Sequence, residues 1–457
     1  MAIISKTQSV ILAASLIVLG VLGGCTAPPT RQVGTESTNP DTTQSKNLPE
    51  QGVQGLSGSP IPSQVEENKT PDNIAPMNGL GAAIGGKEQP MAESAKTAVT
   101  PAPLLKLLSN EEVAKLIPGH VRNPAGWADD ILRVFSALNF QPSPPNVCSV
   151  LAIIQQESGF QANPAVQGMR QVILNSLKKK YGKLGKVAVE KLLDVKTPGE
   201  KKSLWNKLMA AKTEYDVDRV FRDYVVYQKV NHPGLINMAA YTGKAFGVDD
   251  LDQLNPITTI GSMQVSVKYS KEQSKASDVG EWKTREFLYT RYGGVYFGIR
   301  RLLGYQTSYI DPIYRFADYN LGMYASRNAA LQYQLSTLTG YKLALDGDLL
   351  RYLKNGTADS DESESEKAIL VFAKRFAPWL DKRTIHNDLY LEKSPNFEYT
   401  KTYLAIKHAY AVTYGTPPYA ILPVVEITGP KIKSKFTTAL YARAVNAKYQ
   451  RCFNQVR

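Results

Sequence analysis

The chain has 457 residues, 43% of them hydrophobic and 21% charged, and a formal charge of +13. Such a basic excess favours polyanionic surfaces: lipid headgroups, nucleic acid or anionic cell-wall polymers. Four histidines (His120, His232, His386 and His408) are widely dispersed with no H-E-x-x-H pattern, which argues against a zinc hydrolase.

The first residues read as a targeting segment. Lys6 supplies a positive start, and Val10 to Leu22 is an uncharged apolar run. It falls short of the roughly 20 residues a spanning helix needs, so 1–24 is expected to be a signal peptide. Leu22-Gly23-Gly24-Cys25 resembles a bacterial lipobox, which implies cleavage before Cys25 and acylation of its thiol. Thr26, where an aspartate would mark retention, implies sorting to the outer membrane, with the acyl chains of Cys25 in its lipid. An exported chain leaves no place for nucleic acid among the polyanions. Lys178 to Lys180, Lys201 and Lys202 lack interleaved aromatic and glycine residues and read as a solvated face.

From residue 25 to 103 prolines and small polar residues are abundant, and no aromatic residue precedes Trp127. Such a stretch cannot bury enough surface to offset the entropy of ordering, so it is expected to be a disordered tether. Residues 104–457 read as a mainly α domain. Ser109 to Glu112 has the form of a capping box, opening a short helix that Pro118-Gly119 ends. A second helix is expected over Ala125 to Leu138, followed by a loop stiffened by Pro142, Pro144 and Pro145. A third begins near Asn146, where Val147, Val150, Leu151 and Ile154 form an apolar stripe that Glu157 continues. Asp359 to Glu366 reads as a solvated acidic loop before a helix at Lys367, and Val424 to Thr428 is the best strand candidate. Acylation would consume Cys25, leaving Cys148 and Cys452 either as a disulfide or as two separate buried thiols. Cys452 lies on the stripe Tyr441, Val445, Tyr449, Cys452 of a C-terminal helix, so a bridge would staple that helix to the Glu157 helix.

Three motifs then follow in order: Gln156-Glu157-Ser158-Gly159-Phe160, Gly261-Ser262-Met263-Gln264 and Ala317-Asp318-Tyr319-Asn320-Leu321-Gly322. Each alone could be a helix end or a turn. Together they resemble the lysozyme-like domain of lytic transglycosylases, with its E-S-x-F, G-L-M-Q and A-Y-N-x-G signatures. The resemblance implies Glu157 as catalytic acid/base, with Ser158, Met263, Gln264, Tyr319 and Asn320 contacting substrate or orienting the glutamate. It also implies a fold class, a lysozyme-like helical domain carrying a large helical insertion at about 166–255 between the first two motifs. Ser262, Asp318 and Leu321 depart from the signatures. Over Leu104 to Cys452 the chain also looks like a family of proteobacterial envelope lipoproteins of unknown function. That likeness rests on Cys148-x-x-Leu151-Ala152, Met263 to Ser266 and Gly429 to Ile432.

The implied chemistry needs one carboxyl group, no metal and no cofactor. Desolvation at the end of an apolar stripe favours the neutral acid, the form that donates a proton. The implied partner is a peptidoglycan glycan strand, and the sequence names no protein partner. Most of the seven tyrosines from Tyr289 to Tyr319 read as amphipathic core, Tyr319 excepted. The alternative to an enzyme is an envelope module that keeps the fold to bind murein, a peptide or a protein.

Overall fold

The computed structural model describes residues 106–231, 255, 257–274, 281–353, 356–427 and 436–457. The signal segment, Cys25, the tether, residues 232–254 and the Gly429 to Ile432 stretch lie outside them. The described part is mainly helical. α1 (Asn110–Leu116) opens on a complete capping box, the Ser109 hydroxyl and the Glu112 carboxylate each taking the other residue's N–H. α2 (Pro124–Ala137) buries Trp127, Ile131, Val134 and Phe135. α3 (Pro144–Glu157) starts two residues before the expected Asn146. Pro144 and Pro145 are helical rather than part of a loop, because the first N–H groups of a helix have no internal acceptor and proline forfeits nothing there.

The insertion supplies α4 (Met169–Leu193), interrupted by non-helical backbone at Gly182, then α5 (Leu204–Ala210) and α6 (Glu214–Asn231). Next comes a small antiparallel hairpin, β1 (Thr259–Ile260) and β2 (Val265–Ser266), pairing Ile260 with Val265. α7 (Val267–Ser274), α8 (Glu281–Tyr289), α9 (Arg291–Leu303) and α10 (Ile313–Leu321) follow. The remaining helices are α11 (Ala325–Thr339), α12 (Glu364–Phe376), α13 (Lys382–Leu389), α14 (Lys401–Tyr414) and α15 (Thr438–Phe453).

Three apolar clusters organise these elements. The first joins α1, α2, α3, the hairpin, α9, α10 and α15, and it carries all three motifs. α4, α5 and α6 close around their own core of Ile173, Leu177, Leu204, Leu208, Val217 and Phe221, so the insertion has an interior of its own. The third cluster surrounds α11 with α12, α13 and α14. At its heart Arg327 is 1% exposed, donating to the carbonyls of Glu392 and Ser394 and stacking on Tyr324 and Phe397. Nearby, Glu392 takes the N–H of Leu349 and the hydroxyl of Tyr352. Burial pushes its carboxyl up to about 7, against the lowering effect of these two bonds.

Two expectations need correction. Val424 to Val425 is not a strand, and Glu426 makes only an isolated bridge to Thr437; Thr428 lies outside the described residues. The acidic run is not all loop, because Ser363 caps α12 by accepting from the N–H of Glu366. Glu364 and Glu366 then sit in its first turn, where the helix dipole favours carboxylates.

Candidate active site around Glu157

Glu157 is the last residue of α3, half-exposed, and the chain reverses directly after it. Gly159 (φ 59°) and Phe160 (φ 64°) both adopt left-handed backbone. That conformation is unfavourable for phenylalanine, and it is held by burial of the ring edge-on to Trp127, with centroids 5.5 Å apart. A helix C-terminus is the negative pole of its dipole, so a carboxylate there calls for a donor. Tyr441, on α15, supplies one: its hydroxyl donates to Glu157 Oε1. Burial pushes the Tyr441 phenol well above its ordinary value, and the charge and hydrogen bond of Glu157 add to this, so the proton stays on the tyrosine.

Tyr319 is the next neighbour. It is 6% exposed, and its hydroxyl donates to the Met263 carbonyl at 2.7 Å, tying α10 to the hairpin turn. Burial raises its phenol as well, and Glu157 contributes to the same direction. Arg301 reaches across from α9, donating to the Tyr319 carbonyl through Nε at 3.1 Å and Nη2 at 2.9 Å. Its guanidinium lies 5.5 Å from the ring centres of both Tyr269 and Tyr319. Glu157, Tyr441, Tyr319 and Arg301 thus form one polar group on the wall of the first apolar cluster.

The other motif residues take different roles. Ser158 is buried; its hydroxyl donates to the Ile154 carbonyl at 3.2 Å and accepts from the Gln161 N–H at 3.3 Å, so it shapes the turn after Glu157. Met263 is fully buried with its sulfur against Gly298, where any Cβ would come within 2.2 Å of it. Gln264, half-buried with φ 47°, donates from Nε2 to Glu214 Oε2 at 3.0 Å and to the Gly261 carbonyl at 3.3 Å. Its Oε1 accepts from the Thr259 hydroxyl at 3.1 Å. Asn320 is exposed. Asp318, the departure in the third motif, is 1% exposed and binds the N–H groups of Tyr324 and Ser326 and the hydroxyls of Tyr305 and Tyr309. It organises the entry into α11, and burial pushes its carboxyl up. Tyr292 and Tyr296 pack with Phe287, all three half-buried against the first apolar cluster.

Cys148 and Cys452 form a disulfide, with Cα atoms 5.5 Å apart, between α3 and α15. The three motifs do not point to Tyr441 as a partner of Glu157, although the bridge contains the signal. From Cys148 forward to Glu157 is nine residues, and from Cys452 back to Tyr441 is eleven. At the α-helical rise these are roughly 14 Å and 17 Å, so antiparallel helices stapled at the cysteines bring the two side chains together. Gln156 and Lys448 meet likewise, Nζ to Oε1 at 2.8 Å. Among the described residues no group of three or more His, Cys, Asp or Glu could hold a metal ion, and no helix is long and apolar enough to cross a membrane.

Comparison with known proteins gives the class first. A family model described as "Protein of unknown function (DUF1615)" matches residues 120–455, and the chain belongs to that family. It is 35% identical over 369 residues to "Uncharacterized protein YaiW" of Escherichia coli (strain K12), covering 78% of this chain and 93% of that relative. No solved structure matches.

Proposed function

We propose that this chain is a lipid-anchored outer-membrane protein whose helical domain cleaves peptidoglycan glycan strands by lytic transglycosylation. One observation carries the reading: Glu157 stands half-exposed at the end of α3 with Tyr441 donating to one carboxylate oxygen and Tyr319 beside it. In the proposed step protonated Glu157 gives its proton to the oxygen of the MurNAc–GlcNAc β-1,4 bond as the C1–O bond breaks. The resulting carboxylate then takes the proton of the sugar's own 6-hydroxyl as O6 bonds to C1, closing a 1,6-anhydro ring. Protons and bonds balance without water or a second carboxylate, unlike two-carboxylate glycosidases. The basic charge of the chain suits an anionic polymer.

Intact sacculi digested with the purified chain should release 1,6-anhydro muropeptides detectable by mass spectrometry, and Glu157→Gln should release none. Equal release from the variant would remove Glu157 from the mechanism, and no release from wild type would remove the activity. Membrane partitioning tests the anchor separately, since Cys25→Ala should leave the envelope membrane fraction.

A second reading, a murein-binding module without turnover, is favoured by the second motif. Met263 is buried and the Gln264 amide is held by Glu214, Gly261 and Thr259. Such a module would co-sediment with sacculi and leave them uncut.

A further inference from the structure

α14 enters the third cluster through one side only, where Thr402, Tyr403, Ile406 and Tyr410 are buried. On the opposite side Lys401, Leu404, His408, Ala411 and Val412 recur at the three- and four-residue spacing of one helix face, and all five are exposed. Leu404 is 52% exposed and Val412 73%. The outer side of a surface helix is ordinarily charged, and a helix that is apolar all round is ordinarily covered. α12, in the same cluster, follows that rule by exposing Glu364, Lys374 and Arg375. α14 departs from it. The helix contains no carboxylate, so near neutral pH its charges can only be positive, from Lys401, Lys407 and His408. Lys407 flanks the outer side, its ammonium 5.3 Å from the ring centre of Tyr403 and 5.8 Å from that of Tyr419.

We propose that the outer side of α14 is a lipid-contact face, which lays Leu404, Ala411 and Val412 into the headgroup region of an anionic phospholipid bilayer and sets Lys401 and Lys407 against its phosphates. Charge selects the occupant: a helix without a carboxylate has nothing for an anionic surface to repel, and the basic excess of the whole chain acts in the same direction. Size argues against a second copy of the chain. The five side chains lie within 12 positions, about 17 Å of helix, whereas a stable protein interface takes roughly 20–30 residues a side. A bilayer accepts a single row, because interfacial binding grows with whatever apolar area and charge are offered. The acyl chains proposed above on Cys25 would hold the domain near such a surface and raise its effective concentration there. The α14 contact is a second attachment, weak and reversible, so a chain without acyl groups still washes from membranes.

The test uses the full mature chain, from residue 25 with Cys25→Ala, so that no acyl group contributes. It is sedimented with vesicles of phosphatidylglycerol and phosphatidylcholine, and with vesicles of phosphatidylcholine alone. The expected result is binding to the anionic vesicles that weakens as salt is raised, and weaker binding to the neutral ones. Leu404→Asp with Val412→Asp should lower the partition coefficient about tenfold, because two apolar side chains give way to charges that the headgroups repel. Val412→Trp should raise it, since an indole favours the interface, and this gain decides the question should the aspartate variant fail to fold. No binding to either kind of vesicle, or a coefficient that neither variant moves, overturns the proposal. So does a lipid-free dimer that the aspartate variant dissociates, which would make the face an interface between copies. An overturned contact leaves the glycan reading standing, because Glu157 lies in the first cluster and α14 in the third.

Discussion

Tyr441 meets Glu157 through a single hydroxyl, so its contribution can be removed without disturbing the packing of the ring. A hydrogen bond to a charged group contributes about 1.5–3 kcal/mol, or roughly tenfold to a hundredfold in rate if it acts fully on the step. Tyr441→Phe should lower the release of anhydro-muropeptides by up to that factor, and unchanged kinetics would make the contact incidental. Glu392 gives a pH signature independent of the site. Its folded carboxyl titrates near 7, above the ordinary glutamate value, so the folded state holds a proton that the unfolded chain releases earlier. Its contribution is therefore fully present below about pH 4.5 and is lost as pH rises through about 7. Urea titrations should show stability falling across that interval and Glu392→Gln flattening the fall. Glu157 itself was legible as the end of an apolar stripe. The structural parts taken by Ser158 and Met263 were not, because motif spacing says nothing about which atoms face inwards.

At the scale of elements, α9 lies against the hairpin turn through Gly298, whose absent side chain makes room for Met263. Gly298→Ala would set a Cβ within 2.7 Å of the Met263 Cβ as well as against its sulfur, and overpacking of this kind costs typically 1–3 kcal/mol. Denaturant unfolding should show the loss, and sacculus digestion should show a slower rate because Met263 holds Tyr319. The helices were largely readable: Ser109 and Glu112 announce α1, and the apolar periodicity announces α3. The hairpin was not, since two strands of two residues carry too little alternation to stand out from a turn. Nor did Val424 and Val425 form one, although they are β-branched, because Glu426 finds only a single bridging partner across the chain. The cysteine pair was weighed from compartment and count, whereas its effect on Tyr441 needed both helix lengths.

For the whole molecule, the insertion is the feature that the sequence located but could not orient. Its own apolar cluster makes it a separate body of packing, and Asp218 with Arg285 fastens it. Asp218→Ala should cost about 3–5 kcal/mol, as expected when one partner of a buried ion pair is removed. Hydrogen exchange should then rise first across α6 and α8, and a uniform rise over all helices would mean that the insertion and the rest unfold as one. Cys148 and Cys452 are 304 residues apart in sequence, and the helices they join complete the first apolar cluster. Contacts of such long separation close late, because the intervening loop must be ordered before they repay its entropy. Until α15 is made, a partly synthesised chain carries Glu157 without Tyr441. Assembly of the carboxylate with its donor is thereby delayed until almost the whole domain has been synthesised, so the Glu157–Tyr441 pair doubles as a built-in clock on completion of the fold.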